Sequence, residues 1–289
     1  MSANPPEGQS SYFIDAENVA EMARLIEQDR VITKGTGGLF AAIPDLTRIS
    51  RVLDLGCGPG GWALEVASAH PEMRVEGIDN SQIIVQYANS QASKRRLDNV
   101  HFQLDDITQP LNYPDNTFDL INGRMIGFLP TTAWQQLMRE CLRITRPGGL
   151  IRLTEFESPG TSTSAALEHI IEIFGRALAA AGQNAAPRGH RIGITPVLRR
   201  YLKEAGAINL KQTAHVIDYS ADMEEHEAFQ KDWQTAFKLL EPFLLATGVT
   251  TAAEFDQLYN QMLTEMMSPD FCAVMFLLTV TGEKPATST

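Results

Sequence analysis

The sequence predicts an α/β fold built on an open, mostly parallel sheet with helices on both faces, and two observations carry that expectation. The first is Val52-Leu53-Asp54-Leu55-Gly56-Cys57-Gly58-Pro59-Gly60-Gly61-Trp62, a short apolar strand that runs into a glycine-rich turn and then a helix. Glycines at alternate positions remove Cβ atoms where the backbone turns tightly and a ligand approaches. A strand, Gly turn and helix in that order make a nucleotide-sized cleft at the carboxyl edge of such a sheet. The second is the alternation of strand and helix signals from Arg51 to Phe156, which implies parallel βαβ units with right-handed crossovers.

Taken in order, residues 1–10 are polar and expected to be disordered. Asp15 to about Thr33 reads as a helix, with Val19, Met22, Ala23, Ile26 and Arg30 at helical spacing and an acidic face opposite. It precedes the first strand, so it can lie as a lid across the mouth of the sheet, and Gly35, Gly37 and Gly38 end it. Arg51–Leu55 is the first strand, Gly61–His70 a helix and Arg74–Asp79 the second strand. Gln82–Arg96 is a helix opened by Ser81 and closed by Lys94-Arg95-Arg96, where cations suit the helix dipole. Val100–Leu104 and Phe118–Ile121 are strands, Thr131–Thr145 a helix, and Leu150–Phe156 a strand entered through Arg146-Pro147-Gly148-Gly149.

The pattern then departs from simple alternation. A helix over Ala165–Ala181 and a Gly/Pro/Arg loop form one insertion, followed by a helix at Thr195–Ala205 and a sixth strand at Ile208–Ile217. Residues 222–267 are helical again, with Phe229, Trp233, Phe237 and Leu240 at helical spacing, an aromatic stripe expected to face the core. Phe271–Val280 is a long apolar strand, which fits as a hairpin partner of the sixth with a helical insertion at the turn. The chain thus divides into a tail and lid helix (1–48), a core (49–156), a helical cap (157–194), a return to the core (195–221), a second cap (222–267) and a terminal strand and tail (268–289).

The 289 residues, 44% hydrophobic, suffice for one large domain with a proper core. No apolar run reaches membrane-spanning length, and Met1 to Ser11 does not read as a signal peptide, so a cytoplasmic address is expected. The net charge of −11, with scattered cations, gives no continuous track for phosphates and disfavours nucleic acid as a partner. Cys57, Cys141 and Cys272 show no metal spacing, so no metal site is expected. Cys141 and Cys272 read as small buried apolar residues, and Cys57 has no neighbouring His to make it a nucleophile.

Gly56-x-Gly58-x-x-Gly61 also matches the dinucleotide fingerprint, and Asp79 ends the second strand where a carboxylate can accept both hydroxyls of a ribose. An NAD-dependent oxidoreductase is therefore an alternative, but it leaves Arg146–Gly149 and the terminal strand unexplained. Taken together, Leu-Asp-Leu-Gly-Cys-Gly-Pro-Gly (53–60), Gly-Ile-Asp-Asn-Ser (77–81), Asp-Asp-Ile (105–107), Asp-Asn-Thr-Phe-Asp-Leu-Ile (115–121) and Arg-Pro-Gly-Gly (146–149) resemble the class I S-adenosylmethionine-dependent methyltransferases, of the small-molecule, natural-product or UbiE-like, type. The resemblance covers residues 50 to about 156. It implies a Rossmann-like sheet of seven strands with the last one antiparallel, S-adenosyl-L-methionine as cofactor and S-adenosyl-L-homocysteine as product.

By position, the resemblance implies that Gly56, Gly58 and Gly60 let the backbone approach the cofactor, with Cys57 in the same turn. Asp54 orders that loop or reaches the amino group, Asp79 holds the ribose diol, Asn80 lies beside the adenine, and Ser81 next to it belongs to the same cofactor-binding set. Asp106 accepts the adenine amino group, with Asp105 adjacent and Ile107 against the ring, and Asn122 offers a carbonyl to the methionine ammonium.

The acceptor side rests on fewer signals. Glu155, His169 and His190 are candidate catalytic groups, and Tyr12, Arg124, Met125 and Phe128 candidate substrate or lid residues. The insertions hold apolar rather than basic residues, which suits a small organic acceptor. The stretch Glu21–Arg30 with Gly37-Gly38-Leu39-Phe40 also resembles natural-product methyltransferases of the kind found in the teleocidin pathway. Such an enzyme needs little beyond alignment of the acceptor and exclusion of water. A protein that binds the cofactor without transfer, and a homo-oligomer formed through the N-terminal helix, are further expectations left open.

Overall fold

The computed structural model describes Ile14 and residues 18–286, so Tyr12, the first ten residues and the expected helix start at 15–17 lie outside the described residues. Helices α1 (Val19–Gly35), α2 (Gly61–Ala69), α3 (Gln82–Arg95) and α4 (Trp134–Ile144) are interleaved with strands β1 (Arg51–Leu55), β2 (Arg74–Asp79), β3 (Val100–Leu104), β4 (Phe118–Arg124) and β5 (Thr145–Phe156). Beyond them come β6 (Thr161–Ser162), α5 (Ala165–Ala180), α6 (Thr195–Ala205), β7 (Ile208–Asp218), α7 (His226–Ala246), α8 (Ala252–Met266) and β8 (Ala273–Glu283). The eight strands form one sheet in the order β3-β2-β1-β4-β5-β8-β6, with β7 paired to β8. β1 to β5 run parallel, and β8 runs antiparallel to both β5 and β7. The two-residue β6, which was not expected, continues the row beyond the end of β5 by pairing with Ala273 and Val274.

Side-chain capping explains where several helices start. The Asn18 carboxamide accepts from the Ala20 N–H, and the hydroxyls of Ser81, Ser164 and Thr251 do the same for α3, α5 and α8. β1 and β4 are buried almost throughout, as central strands covered on both faces must be. Asp119 locks their amino ends together. Its Oδ2 accepts from the backbone N–H groups of Ser50 (3.0 Å) and Arg51 (2.8 Å), and its Oδ1 accepts from Arg146 at 2.9 Å. The Asp-Asn-Thr-Phe-Asp and Arg-Pro-Gly-Gly motifs thus work at the edge of the sheet opposite the cleft.

Three expectations shift. β5 starts at Thr145 rather than Leu150, because Thr145 pairs with Phe118 before a register break carries the pairing on to Leu150 and Leu120. Cys272 is exposed and precedes β8, whereas Cys141 is buried on α4 as expected. The face of α1 is also different. Val19 (82% exposed) and Ile26 (40%) point to solvent, while Glu21, Val31 and Ile32 are buried. The reason is ionic. Arg24 grips Glu21 at 2.7 Å and Asp232 of α7 at 2.9 Å, so α1 turns its charged stripe inward and packs on α7.

Candidate active site

A cavity of about 230 Å³ opens at the carboxyl ends of β1, β2, β3 and β4. Its polar end is built by the sequence motifs: Asp54, Gly56, Cys57, Gly58, Pro59, Asp79, Asn80, Asp105, Asp106 and Ile107 all line it. Its other end is apolar and aromatic, where Phe128, Phe156, Phe174, Trp233, Phe237 and Leu240 come from the β4–α4 loop, β5, α5 and α7. Arg24, Gln28, Asp29 and Ile32 of α1 close the remaining side.

The glycine turn leaves room where it is needed. Gly58 has φ +53°, and a Cβ added there meets nothing within 4 Å. Gly60 is glycine for another reason. Its Cβ would sit 2.7 Å from the Phe102 ring, and it is absent from the cavity lining. Asp79 is aimed by backbone donors: its Oδ2 accepts from the Gly58 N–H and its Oδ1 from the Ser81 N–H, both at 3.0 Å. Burial holds this carboxyl above its ordinary value, against those hydrogen bonds. Ser81 itself does not line the cavity; its hydroxyl caps α3, accepting from Ile84 at 3.4 Å.

Behind the cleft lies a buried relay. Asp54 Oδ1 accepts from Asn122 Nδ2 at 2.6 Å, and Asn122 Oδ1 accepts from Arg152 Nε at 2.9 Å. Arg152 then donates to the Leu39 carbonyl at 2.7 Å and lies over the Trp62 ring. Asn122 is fully buried and its side chain is spent in this relay rather than at the cavity. Desolvation pushes Asp54 up to about 7, and burial lowers Arg152 to about 9. Burial likewise pushes the Cys57 thiol well up, which leaves it a poor nucleophile.

The candidate catalytic groups are not brought to the cavity. Glu155 is fully buried, accepts from the N–H groups of Ile126 (2.8 Å) and Gly127 (3.0 Å), and is pushed by burial up to about 8. It shapes the β4–α4 loop from behind. His169 and His190 are exposed and lie outside the lining: α5 turns Phe174 inward instead of His169, and His190 sits in the loop between α5 and α6. Arg124 does line the cavity, and it pairs with Asp29 of α1 and donates to Thr33 at 2.8 Å. Met125, at φ +59°, and Phe128 line it too. The stripe on α7 expected to be core supplies Trp233 and Phe237 to the wall.

Four buried side-chain polar atoms lack a hydrogen-bond partner among the described residues, and three of them belong to lining residues: Asp105 Oδ2, Arg124 Nε and Trp233 Nε1. A buried polar atom without a partner costs about 1–3 kcal/mol, so three of them in the lining of one cavity mark a place for a ligand. Asp106 spends Oδ1 on the Thr108 N–H (2.9 Å) and hydroxyl (2.8 Å), which leaves Asp105 Oδ2 as the atom in need of a donor. The open Gly58, the oriented Asp79 and Asp105 Oδ2 fit an adenosyl group.

Fold and site together resemble those of the class I, S-adenosylmethionine-dependent methyltransferases. Residues 52–149 match the methyltransferase-domain family. The chain is 30% identical over 135 residues to a demethylmenaquinone methyltransferase of Halalkalibacterium halodurans, covering 44% of this chain and 54% of that one. It is 35% identical over 130 residues to the 27-O-demethylrifamycin SV methyltransferase of Amycolatopsis mediterranei, covering 44% and 46%. The chain thus spans about half the length of these curated relatives. A phosphoethanolamine N-methyltransferase of Haemonchus contortus, solved with S-adenosyl-L-methionine, shares the fold at a TM-score of 0.56 and 17% identity, over 97% of this chain and 61% of that one.

Sequence reasoning missed Arg24, Gln28 and Asp29, which sit on the face of α1 it assigned to solvent, and Phe156 and Phe174. No local pattern marks these as cavity residues; only the packing of α1 and α5 over the sheet does.

Proposed function

We propose that the whole chain transfers a methyl group from S-adenosylmethionine to a small organic acceptor, as a cytoplasmic enzyme of secondary metabolism that uses neither nucleic acid nor a membrane. No helix among the described residues is long and apolar enough to cross a membrane. The observation that carries the reading is one cavity with two chemically different ends: four carboxylates at or beside strand ends around a glycine turn, and an aromatic wall.

The cofactor, when bound, supplies an activated methyl on a sulfonium. Asp79 takes the ribose hydroxyls, Asp105 and Asp106 flank the adenine with Ile107, and Asp54 and the Gly56–Gly58 backbone border the methionine part. α1, α5 and α7 exclude water and fix the acceptor, which is catalysis by proximity and orientation. Among the described lining residues there is no His, Glu, Lys or Tyr, so a proton-accepting role would fall to one of the aspartates. The likeness to the rifamycin methyltransferase supports a secondary-metabolite acceptor.

Calorimetric titration tests the reading: S-adenosylhomocysteine binds saturably and NAD does not. Tight NAD binding with none for S-adenosylhomocysteine overturns it.

A further inference from the structure

Resting on that methyl-transfer reading, we infer that the acceptor is a neutral aromatic molecule whose ring packs among Phe128, Phe174, Trp233 and Phe237 and whose oxygen meets the Trp233 indole N–H.

The apolar end of the cavity is a box of rings. Phe128 stands edge-on to Phe156 at 5.7 Å and to Phe174 at 5.9 Å, and Trp233 lies 5.8 Å from Phe237. Rings of this kind favour a flat aromatic guest through edge and offset contacts. Charge excludes the obvious competitor, a phosphorylated base. Five aspartates line the cavity against two arginines. Both arginines already answer carboxylates: Arg24 holds Glu21 and Asp232, and Arg124 holds Asp29. A phosphate would enter a net acidic site and give up its hydration without a cation to replace it.

Trp233 supplies the polar contact. It is 4% exposed, lines the cavity, and its Nε1 has no hydrogen-bond partner. Its polar neighbour, the Tyr219 hydroxyl, donates to the Pro159 carbonyl at 3.3 Å and offers the indole N–H only a weak contact that falls short of hydrogen-bond geometry. An acceptor oxygen there satisfies a buried donor that otherwise stays costly. A site with such a need discriminates between a ring that bears an oxygen and one that does not.

The test is equilibrium dialysis of the S-adenosylhomocysteine-bound protein against 1-naphthol, naphthalene and phosphoethanolamine. 1-Naphthol is expected to bind saturably and phosphoethanolamine not at all. Trp233→Phe keeps the ring and removes the donor, so it weakens 1-naphthol by about tenfold and leaves naphthalene and S-adenosylhomocysteine unchanged. A merely structural role for Trp233 would move all three together. Binding of phosphoethanolamine, no saturable binding of 1-naphthol, or an unchanged 1-naphthol affinity in Trp233→Phe overturns the inference alone. Failure of S-adenosylhomocysteine to bind overturns the reading beneath it and this inference with it.

Discussion

Asp79 shows how much one side chain can carry. Two backbone N–H groups hold its carboxylate in place, and each oxygen still has a lone pair to offer. Asp79→Ala is expected to weaken S-adenosylhomocysteine binding by roughly 2–4 kcal/mol, since two charge-assisted bonds are lost. An unchanged calorimetric affinity would place the ribose acid elsewhere. This residue was legible because strand periodicity fixes which position ends β2. Glu155 shows the opposite case. Its place at the end of β5 was legible, but its direction was not. Two N–H groups of the β4–α4 loop draw it away from the cavity, and that loop has no sequence signal of its own. Trp233 was seen only as one of a helical stripe. Spacing identifies an inward face without saying whether that face meets another side chain or a space.

At the scale of elements, β1 to β4 and their helices follow the sequence closely, since Gly turns, Ser caps and strand lengths are local properties. α1 does not, because its orientation is set by a partner more than two hundred residues away: Arg24 meets Asp232 with side chains 7% and 9% exposed. Arg24→Ala removes the cation shared by two buried carboxylates, a loss of about 3–5 kcal/mol. Hydrogen exchange is expected to show that loss in the amides of α1, with those of β1 to β5 left at their original protection. Protection of α1 that survives the substitution would mean that apolar contacts, rather than the ion pair, hold the lid. Lys34 adds to the latch through Glu225, but it is half-exposed and contributes little.

For the molecule as a whole, buried acids set the response to pH. Burial raises Glu155 from 4.5 to about 8 and Asp54 from 3.8 to about 7. The folded chain therefore keeps protons that the unfolded chain has released, so stability falls as pH rises through this window. His215, which burial lowers, acts only below its ordinary value of 6.5 and with the opposite sign. The urea midpoint is expected to drop between about pH 6.5 and 8, and Glu155→Gln to flatten most of that drop. A wild-type midpoint that holds level or climbs would show that these acids are already ionised.

The sheet is finished out of order. β8 is inserted between β5 and β7, and β7 pairs with β8 over nearly its whole length. During synthesis, then, both neighbours wait with raw hydrogen-bonding edges until residues 273–283 emerge from the ribosome. A nascent chain at that stage is open to sticking to its siblings, and losing those eleven residues would leave it there for good.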